Sequence, residues 1–396
     1  MSESILFVDD DEMVLNAIER TFLFSDYSVY TARDTDEAFK ILESTDIDMV
    51  VSDIRMAPVN GYRFLKLVKE RYPKIIRIVL SAYGDREMMI KTIGDGVAKL
   101  YMLKPWDNDE LIDTVGHIFK MYNSLDELKL IEKIDKNQWL PPMPKVYSKI
   151  LKAVEEERDM KEIASLIEHE PATSAEVLKL VNSSFYGLSI GSVHQALVYL
   201  GIRTVKDVVL FAEIFSNNGH QNSAERETLF RHIGFCNTLL HRFHLTLFNR
   251  KISEEYSTAG LLCDIGRLFI LSNYPDKYKQ LSSQWESEPE QMANVEKEIV
   301  GFTHEQVGAQ ILNWWNLPAY IVESCYVHHD PSLSKLLPPK IVALIHIADV
   351  YAWKKVEKIE FTIPKTVYDI LEVGINEIEC MLDEIVETIC LQDKSV

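Results

Sequence analysis

Cysteine is scarce and unpatterned: five stand in 396 residues, at positions 236, 263, 325, 380 and 390, and no two form a C-x-x-C pair. That excludes a disulfide framework and fits a reducing compartment. No run of ~18 apolar residues occurs, which excludes a membrane-spanning helix. The opening Met1-Ser2-Glu3-Ser4 lacks the basic stretch of a secretory signal. Positive charge is also short: 42 Lys and Arg face 61 Asp and Glu, a net charge of −19. That balance argues against a broad basic face for nucleic acid and fits ordinary solubility in the cytoplasm. Strand signals are few beyond about the first quarter of the chain. With 47% apolar residues, packed cores are affordable, and the length suggests two or three domains.

What the chain does carry starts at Met49-Val50-Val51, a short apolar run that gives out at Ser52 and Asp53. Such a run reads as a strand covered on both faces of a parallel sheet. In open α/β sheets, ligands meet groups just beyond the carboxyl ends of strands. Asp53 is therefore expected at that rim, although alone it reads as the start of a turn. Ile5-Leu6-Phe7-Val8 ends likewise in Asp9 and Asp10, Ile75 to Leu80 ends in Ser81, and Leu100 to Leu103 ends in Lys104. One rim would then gather an acid pair, an acid, a hydroxyl and an amine. Clustered carboxylates imply a hard cation such as Mg²⁺, and the whole set suits receipt of a phosphoryl group. Helical spacing predicts helices over 12–22, 35–43, 62–71, 85–93 and 107–123, with Asp34 or Thr35 capping the second and Asp107 the last. Ser28 to Ala32 supplies a further strand. Five βα units in this order predict a flavodoxin-like doubly wound sheet.

Residues 1–122 resemble the receiver domain of two-component response regulators. The resemblance implies that Asp53 is the phospho-acceptor and that Asp9, Asp10 and Asp53 hold Mg²⁺. It makes Ser81 the hydroxyl, Lys104-Pro105 the lysine with its cis-proline, Tyr101 the aromatic switch, and Gly61 the glycine after the acceptor loop. A cognate histidine kinase is the implied partner. One departure stands at residue 57, where the family usually has proline. Here it is Ala57, with Pro58 next. Arg55 and Tyr83 lie two residues after Asp53 and Ser81. Either they crowd the path of an attacking water and slow phosphate loss, or they only pack on their loops.

Residues 123–138 stay helical in pattern but become charge-rich. They read as a linker, either a solvated connector or the seam of a homodimer. Trp139-Leu140-Pro141-Pro142-Met143-Pro144 marks a boundary. Beyond it nearly every segment has helical period, including 256–271, 304–315, 318–328, 338–353 and 366–389, so an all-α unit is expected. Cys263-Asp264 is expected in the middle of an apolar helix, Ala259 to Leu271. His232, His304, His328, His329 and Asp349 stand out as further titratable residues, because buried carboxylates need partners or a metal.

Residues 139–350 resemble the HDOD domain, a branch of the HD phosphohydrolase superfamily, and leave 351–396 as a helical extension. Leu140-Pro141-Pro142-Met143-Pro144, Ile167 to Ala172, Val181-Asn182-Ser183-Ser184-Phe185-Tyr186-Gly187 and Ala196 to Gly201 carry the likeness. By position, His232, Asp264 and Asp349 match metal ligands, and His304 with His328 or His329 match accessory ligands. Cys263 replaces the eponymous histidine, and Asp330-Pro331-Ser332 stands where phosphodiesterase relatives carry Gly-Tyr-Pro. Cys263 is either a small buried hydrophobe or a thiolate ligand. The favoured reading is a signalling protein: a receiver whose phosphorylation controls a non-catalytic HDOD module that binds a downstream protein partner. The alternative is a regulated metal phosphohydrolase acting on a nucleotide or cyclic dinucleotide. The altered His-Asp pair predicts substoichiometric metal and no turnover.

Overall fold

The computed structural model describes residues 2–82, 88, 92, 96–127, 145–156, 158–181, 190–216, 224–253, 256–287, 289–315 and 317–393. The expected boundary segment at 139–144, most of the 123–138 linker, the Asn182–Gly187 motif and Tyr83 lie outside these residues, as does most of the expected 85–93 helix. The chain divides into two compact units, one built on residues 1–123 and one on 124–315 and 321–396.

The first unit is a five-stranded parallel sheet in the order β2-β1-β3-β4-β5. The strands are β1 (Ser4–Val8), β2 (Ser28–Ala32), β3 (Met49–Ser52), β4 (Ile76–Ala82) and β5 (Leu100–Lys104). Ile5, Leu6, Phe7, Val8, Met49, Val50, Val51, Ile78 and Val79 are almost fully buried, as strands covered on both faces require. Chain order reverses between β1 and β3, so this is a doubly wound sheet whose switch point lies beyond those two strands. Helix Glu12–Phe22 buries Leu15, Ile18 and Phe22 on one stripe and is capped by Asp11, which accepts from the Met13 amide. Asp34 caps Thr35–Ser44 by accepting from the Asp36 and Glu37 amides. Asp107 accepts from the amides of Asp109 and Glu110 at the start of Asn108–Glu127.

The second unit is helical among its described residues. Val193–Ser216 is broken at Gly201, whose φ of 79° is open to glycine alone without strain. The expected helix 256–271 is in fact two, Ala259–Leu262 and Ile265–Asn273, which part at Cys263 and Asp264. Asp264 has φ −100° and ψ 14°, so the break aims its side chain away from the helical path. The expected 366–389 helix also divides, into Lys365–Leu371 and Ile375–Asp393, with Glu372 at φ 60° between them. Helix Pro275–Ser287 was not expected, and it buries Tyr278, Leu281 and Trp285. Pro339–Ala352 runs into a π-helical turn, Trp353–Glu357. No helix among the described residues is long and apolar enough to cross a membrane.

Candidate functional site

In the first unit, β1 and β3 pair in register through Val8 and Ser52, so the next residues, Asp9 and Asp53, emerge side by side. The Asp53 amide donates to Val8 O at 2.9 Å, which locks that alignment. β4 pairs with β5 through Ser81 with Leu103 and Ala82 with Lys104, and so delivers the hydroxyl and the amine to the same rim. Ligand oxygens of Asp9, Asp10 and Asp53 lie within 4.8 Å of one another. Asp9 and Asp53 are buried and Asp10 is exposed. Lys104 Nζ lies 2.5 Å from Asp9 Oδ2 and 3.4 Å from Asp53 Oδ1. Burial pushes the Asp9 carboxyl above the usual carboxylate range, against the pull of Lys104. Three carboxylates gathered this closely are a hard-oxygen donor set, so the residues present fit Mg²⁺.

Ser81 is fully buried and Tyr101 half-buried, while Arg55 is exposed. The Ala57-Pro58 and Lys104-Pro105 peptide bonds are both cis. At Gly61, a Cβ would fall 1.8 Å from the carbonyl oxygen of Asp53, so the Asp53 backbone requires glycine there.

In the second unit, five helical segments converge on one buried cluster. His232 lies two turns into Ala224–Phe248 rather than at its start. Asp264 stands at the helix break. His304 opens His304–Trp314 behind a capping box of Thr303 and Gln306. His328 and His329 follow Ala319–Val327, and Asp349 lies in Pro339–Ala352. His232 Nε2 is 2.8 Å from Asp349 Oδ1 and 2.9 Å from Asp264 Oδ2. His304 Nε2 is 3.4 Å from His328 Nε2 and 3.0 Å from His329 Nε2. Asp264 Oδ1 stands between these two groups, 3.5 Å from His304 Nε2 and 3.8 Å from His328 Nε2. His329 Nδ1 is 3.7 Å from Asp349 Oδ2.

Asp264 Oδ1 and Asp349 Oδ2 are buried without a hydrogen-bond partner, and Asp264 Oδ2 has no aligned hydrogen bond although His232 Nε2 stands 2.9 Å away. Orphaned buried carboxylate oxygens are costly unless a cation meets them. Imidazoles joined by carboxylates suit Zn, Fe or Mn, so these residues fit a metal as a donor set. Burial opposes ionisation of Asp264, but Arg267 and His232 outweigh it and hold its carboxyl well below the usual range. His304 is pulled the opposite way. Burial disfavours its charge, yet Glu296 and Glu305 push it up to about 10.

Cys263 does not join the cluster. Its thiol lies beside that of Cys236 and donates to Gly260 O at 3.6 Å, and the Cys236 contact together with burial holds it well above an ordinary thiol. Among the described residues it belongs to no donor group, whereas His232, Asp264, Asp349, His304, His328 and His329 all do. Three acids went unread in the sequence, Glu296 buried and Glu305 and Glu357 half-buried. Glu296 accepts from the His304 amide at 2.7 Å and stands 2.9 Å from its Nδ1. Glu357 lies 2.9 Å from His232 Nδ1 and accepts twice from Arg267 Nη2, at 2.9 and 2.8 Å. Glu305 Oε2 is 3.6 Å from His304 Nδ1.

Residues 5–116 match the response regulator receiver domain family, and residues 140–331 match the HDOD domain family. The chain joins a receiver domain to an HDOD domain. It is 40% identical over 112 residues to the hydrogenase transcriptional regulatory protein HoxA of Cupriavidus necator, covering 28% of this chain and 23% of HoxA. It is 27% identical over 116 residues to the response regulator protein FleR of Pseudomonas aeruginosa, covering 29% of this chain and 24% of FleR. The chain thus spans about a quarter of the length of these curated relatives. An HDOD domain protein of Geobacter sulfurreducens superposes with a TM-score of 0.53 at 21% identity, over 70% of this chain and 98% of that one, and so shares the fold. The matched HDOD segment holds His232, Asp264, His304, His328 and His329, while Asp349 and Glu357 lie past its end. The chain is a response regulator with an HDOD domain.

Proposed function

We propose that the receiver domain of this response regulator accepts a phosphoryl group on Asp53 from a histidine kinase, in the cytoplasm, and thereby sets the state of the HDOD domain toward a downstream protein partner. The observation that best supports this is the placement of Lys104 Nζ beside both Asp9 and Asp53. An Asp53 oxygen would bond to phosphorus as the P–N bond of the kinase phosphohistidine breaks, the imidazole taking the electron pair and a proton. Asp9, Asp10 and Asp53 are the residues to hold Mg²⁺, which when bound neutralises charge on the phosphoryl oxygens. Lys104 would then exchange Asp9 for a phosphoryl oxygen, with Ser81 drawn inward and Tyr101 following. The test is incubation with acetyl phosphate and Mg²⁺, followed by intact mass. One added phosphoryl group is expected on the wild type and none on Asp53→Ala, and equal labelling of both would overturn the assignment.

A second reading is favoured by the orphaned oxygens of Asp264 and Asp349. In it the HDOD domain holds metal and hydrolyses a nucleotide or cyclic dinucleotide. Elemental analysis run beside a hydrolysis assay with added Mn²⁺, Fe²⁺ or Zn²⁺ separates the two. Metal without turnover supports a binding module. Turnover that disappears in Asp264→Ala establishes the hydrolase.

A further inference from the structure

We infer that Glu357 and Glu296 are positioning residues that each hold one histidine of the HDOD cluster in the orientation a metal needs. This rests on the reading that the cluster binds metal. Both acids face a histidine from behind. Glu357 Oε1 stands 2.9 Å from Nδ1 of His232, whose Nε2 faces Asp349 and Asp264. Glu296 Oε1 stands 2.9 Å from Nδ1 of His304, whose Nε2 faces His328 and His329. The approach therefore occurs twice, once in each donor group, aligned as a hydrogen bond at His304 and close but unaligned at His232. A carboxylate at Nδ1 keeps the proton on that nitrogen and leaves the Nε2 lone pair for a metal, and it also fixes the ring plane.

Each acid is itself held. Glu357 accepts both of its close bonds from Arg267 Nη2. The Arg267 guanidinium lies 3.8 Å from the centre of the Trp353 ring, and Arg267 Nη2 also reaches the Tyr278 hydroxyl at 3.2 Å. Glu296 is anchored by the His304 amide. Glu357 arrives on the π-helical turn Trp353–Glu357, beyond the matched HDOD segment. That turn adds a residue to the helical spacing, and π-turns recur where a side chain must be aimed off the regular path. The segment after residue 331 is thus part of the site, since it supplies both Asp349 and Glu357.

The experiment is Mn²⁺ titration of metal-free full-length protein followed by electron paramagnetic resonance, with circular dichroism as a check on folding, in an Asp9→Ala, Asp53→Ala background that removes the receiver's carboxylate set and serves as wild type for the HDOD cluster. Glu357→Gln and Glu296→Gln keep the side-chain volume and should each bind Mn²⁺ about 10–100-fold more weakly than wild type. Glu296→Gln is independent of Arg267, so it carries the test if Glu357→Gln fails to fold. Glu213→Gln alters a buried carboxylate of the same unit that accepts from the Val146 and Tyr147 amides, outside the cluster, and its affinity should stay at the wild-type value. Wild-type affinity in folded Glu296→Gln and Glu357→Gln would overturn this inference while leaving the metal reading intact. So would an equal loss in Glu213→Gln, because the effect would then be general loosening. Wild-type protein that takes up no Mn²⁺ would overturn the metal reading and this inference with it.

Discussion

Lys104 Nζ lies closer to Asp9 than to Asp53, the proposed acceptor, at 2.5 against 3.4 Å. Before any phosphorylation, then, the lysine sits nearer a carboxylate of the proposed cation-binding pair than the proposed nucleophile. Phosphorylation would place a stronger anion on the far side of the same ammonium. Lys104→Ala should therefore slow labelling by acetyl phosphate, since a hydrogen bond to a charged group contributes about 1.5–3 kcal/mol. The time course of intact mass gives the rate, and a wild-type rate would rule out a role for the lysine in acceptance.

Gly61→Ala forces a Cβ to within 1.8 Å of the Asp53 carbonyl oxygen. The acceptor loop must move, and overpacking of this kind costs about 1–3 kcal/mol. The denaturation midpoint of the receiver domain should fall and labelling at Asp53 should slow together. A fall in stability with unchanged labelling would show that the loop yields without moving the acceptor.

Metal-free protein should gain stability when Mn²⁺ is added, because a ligand that binds only the folded state contributes about 2.7 kcal/mol at a hundredfold excess over its dissociation constant. Asp264→Asn keeps the shape but removes the charge that stands between the two donor groups, so the gain should vanish. Calorimetry with and without Mn²⁺ reads this, and an equal shift in both proteins would move the metal elsewhere.

His244 supplies a pH dependence away from either site. It is buried, and its Nδ1 lies 2.9 Å from Arg250 O. Burial, helped by the Arg250 charge, lowers its proton affinity below the ordinary value of 6.5. Unfolding restores that value, so below pH 6.5 the unfolded chain binds the proton more tightly. Stability held by neutral His244 is thus present above that pH and lost as pH falls through the window beneath it. His244→Asn should flatten the fall in unfolding free energy between neutral and mildly acidic pH. An unchanged slope would assign the dependence to other groups.

The receiver rim was legible because its logic is local to strand ends. Each run is apolar until the sheet stops, and the next residue carries the chemistry, as at Val8-Asp9 and Val51-Ser52-Asp53. The cap assignments at Asp34 and Asp107 were legible for the same reason. The HDOD cluster was legible only in part. Histidines and mid-helix aspartates stand out from apolar neighbours, but Glu296 lies in Val295-Glu296-Lys297-Glu298, where a buried acid looks like its exposed neighbours. Glu357, in Lys354-Lys355-Val356-Glu357-Lys358, is hidden in the same way. The helix break at Asp264 could not be read because Ala259 to Leu271 is continuous in apolar period. Pro275–Ser287 was missed since its buried stripe is only Tyr278, Leu281 and Trp285 among polar residues.

A Cβ on Gly266 would fall 1.9 Å from the carbonyl oxygen of His304, and the Gly308 amide nitrogen would lie 3.0 Å away. The helices bearing Asp264 and His304 therefore rest main chain against main chain. No side chain intervenes between them there, so the separation of the two main chains is set by direct backbone contact. Core substitutions elsewhere can be absorbed by repacking, but a methyl group at Gly266 would pry the two segments apart, and with them the main-chain anchors of Asp264 and His304.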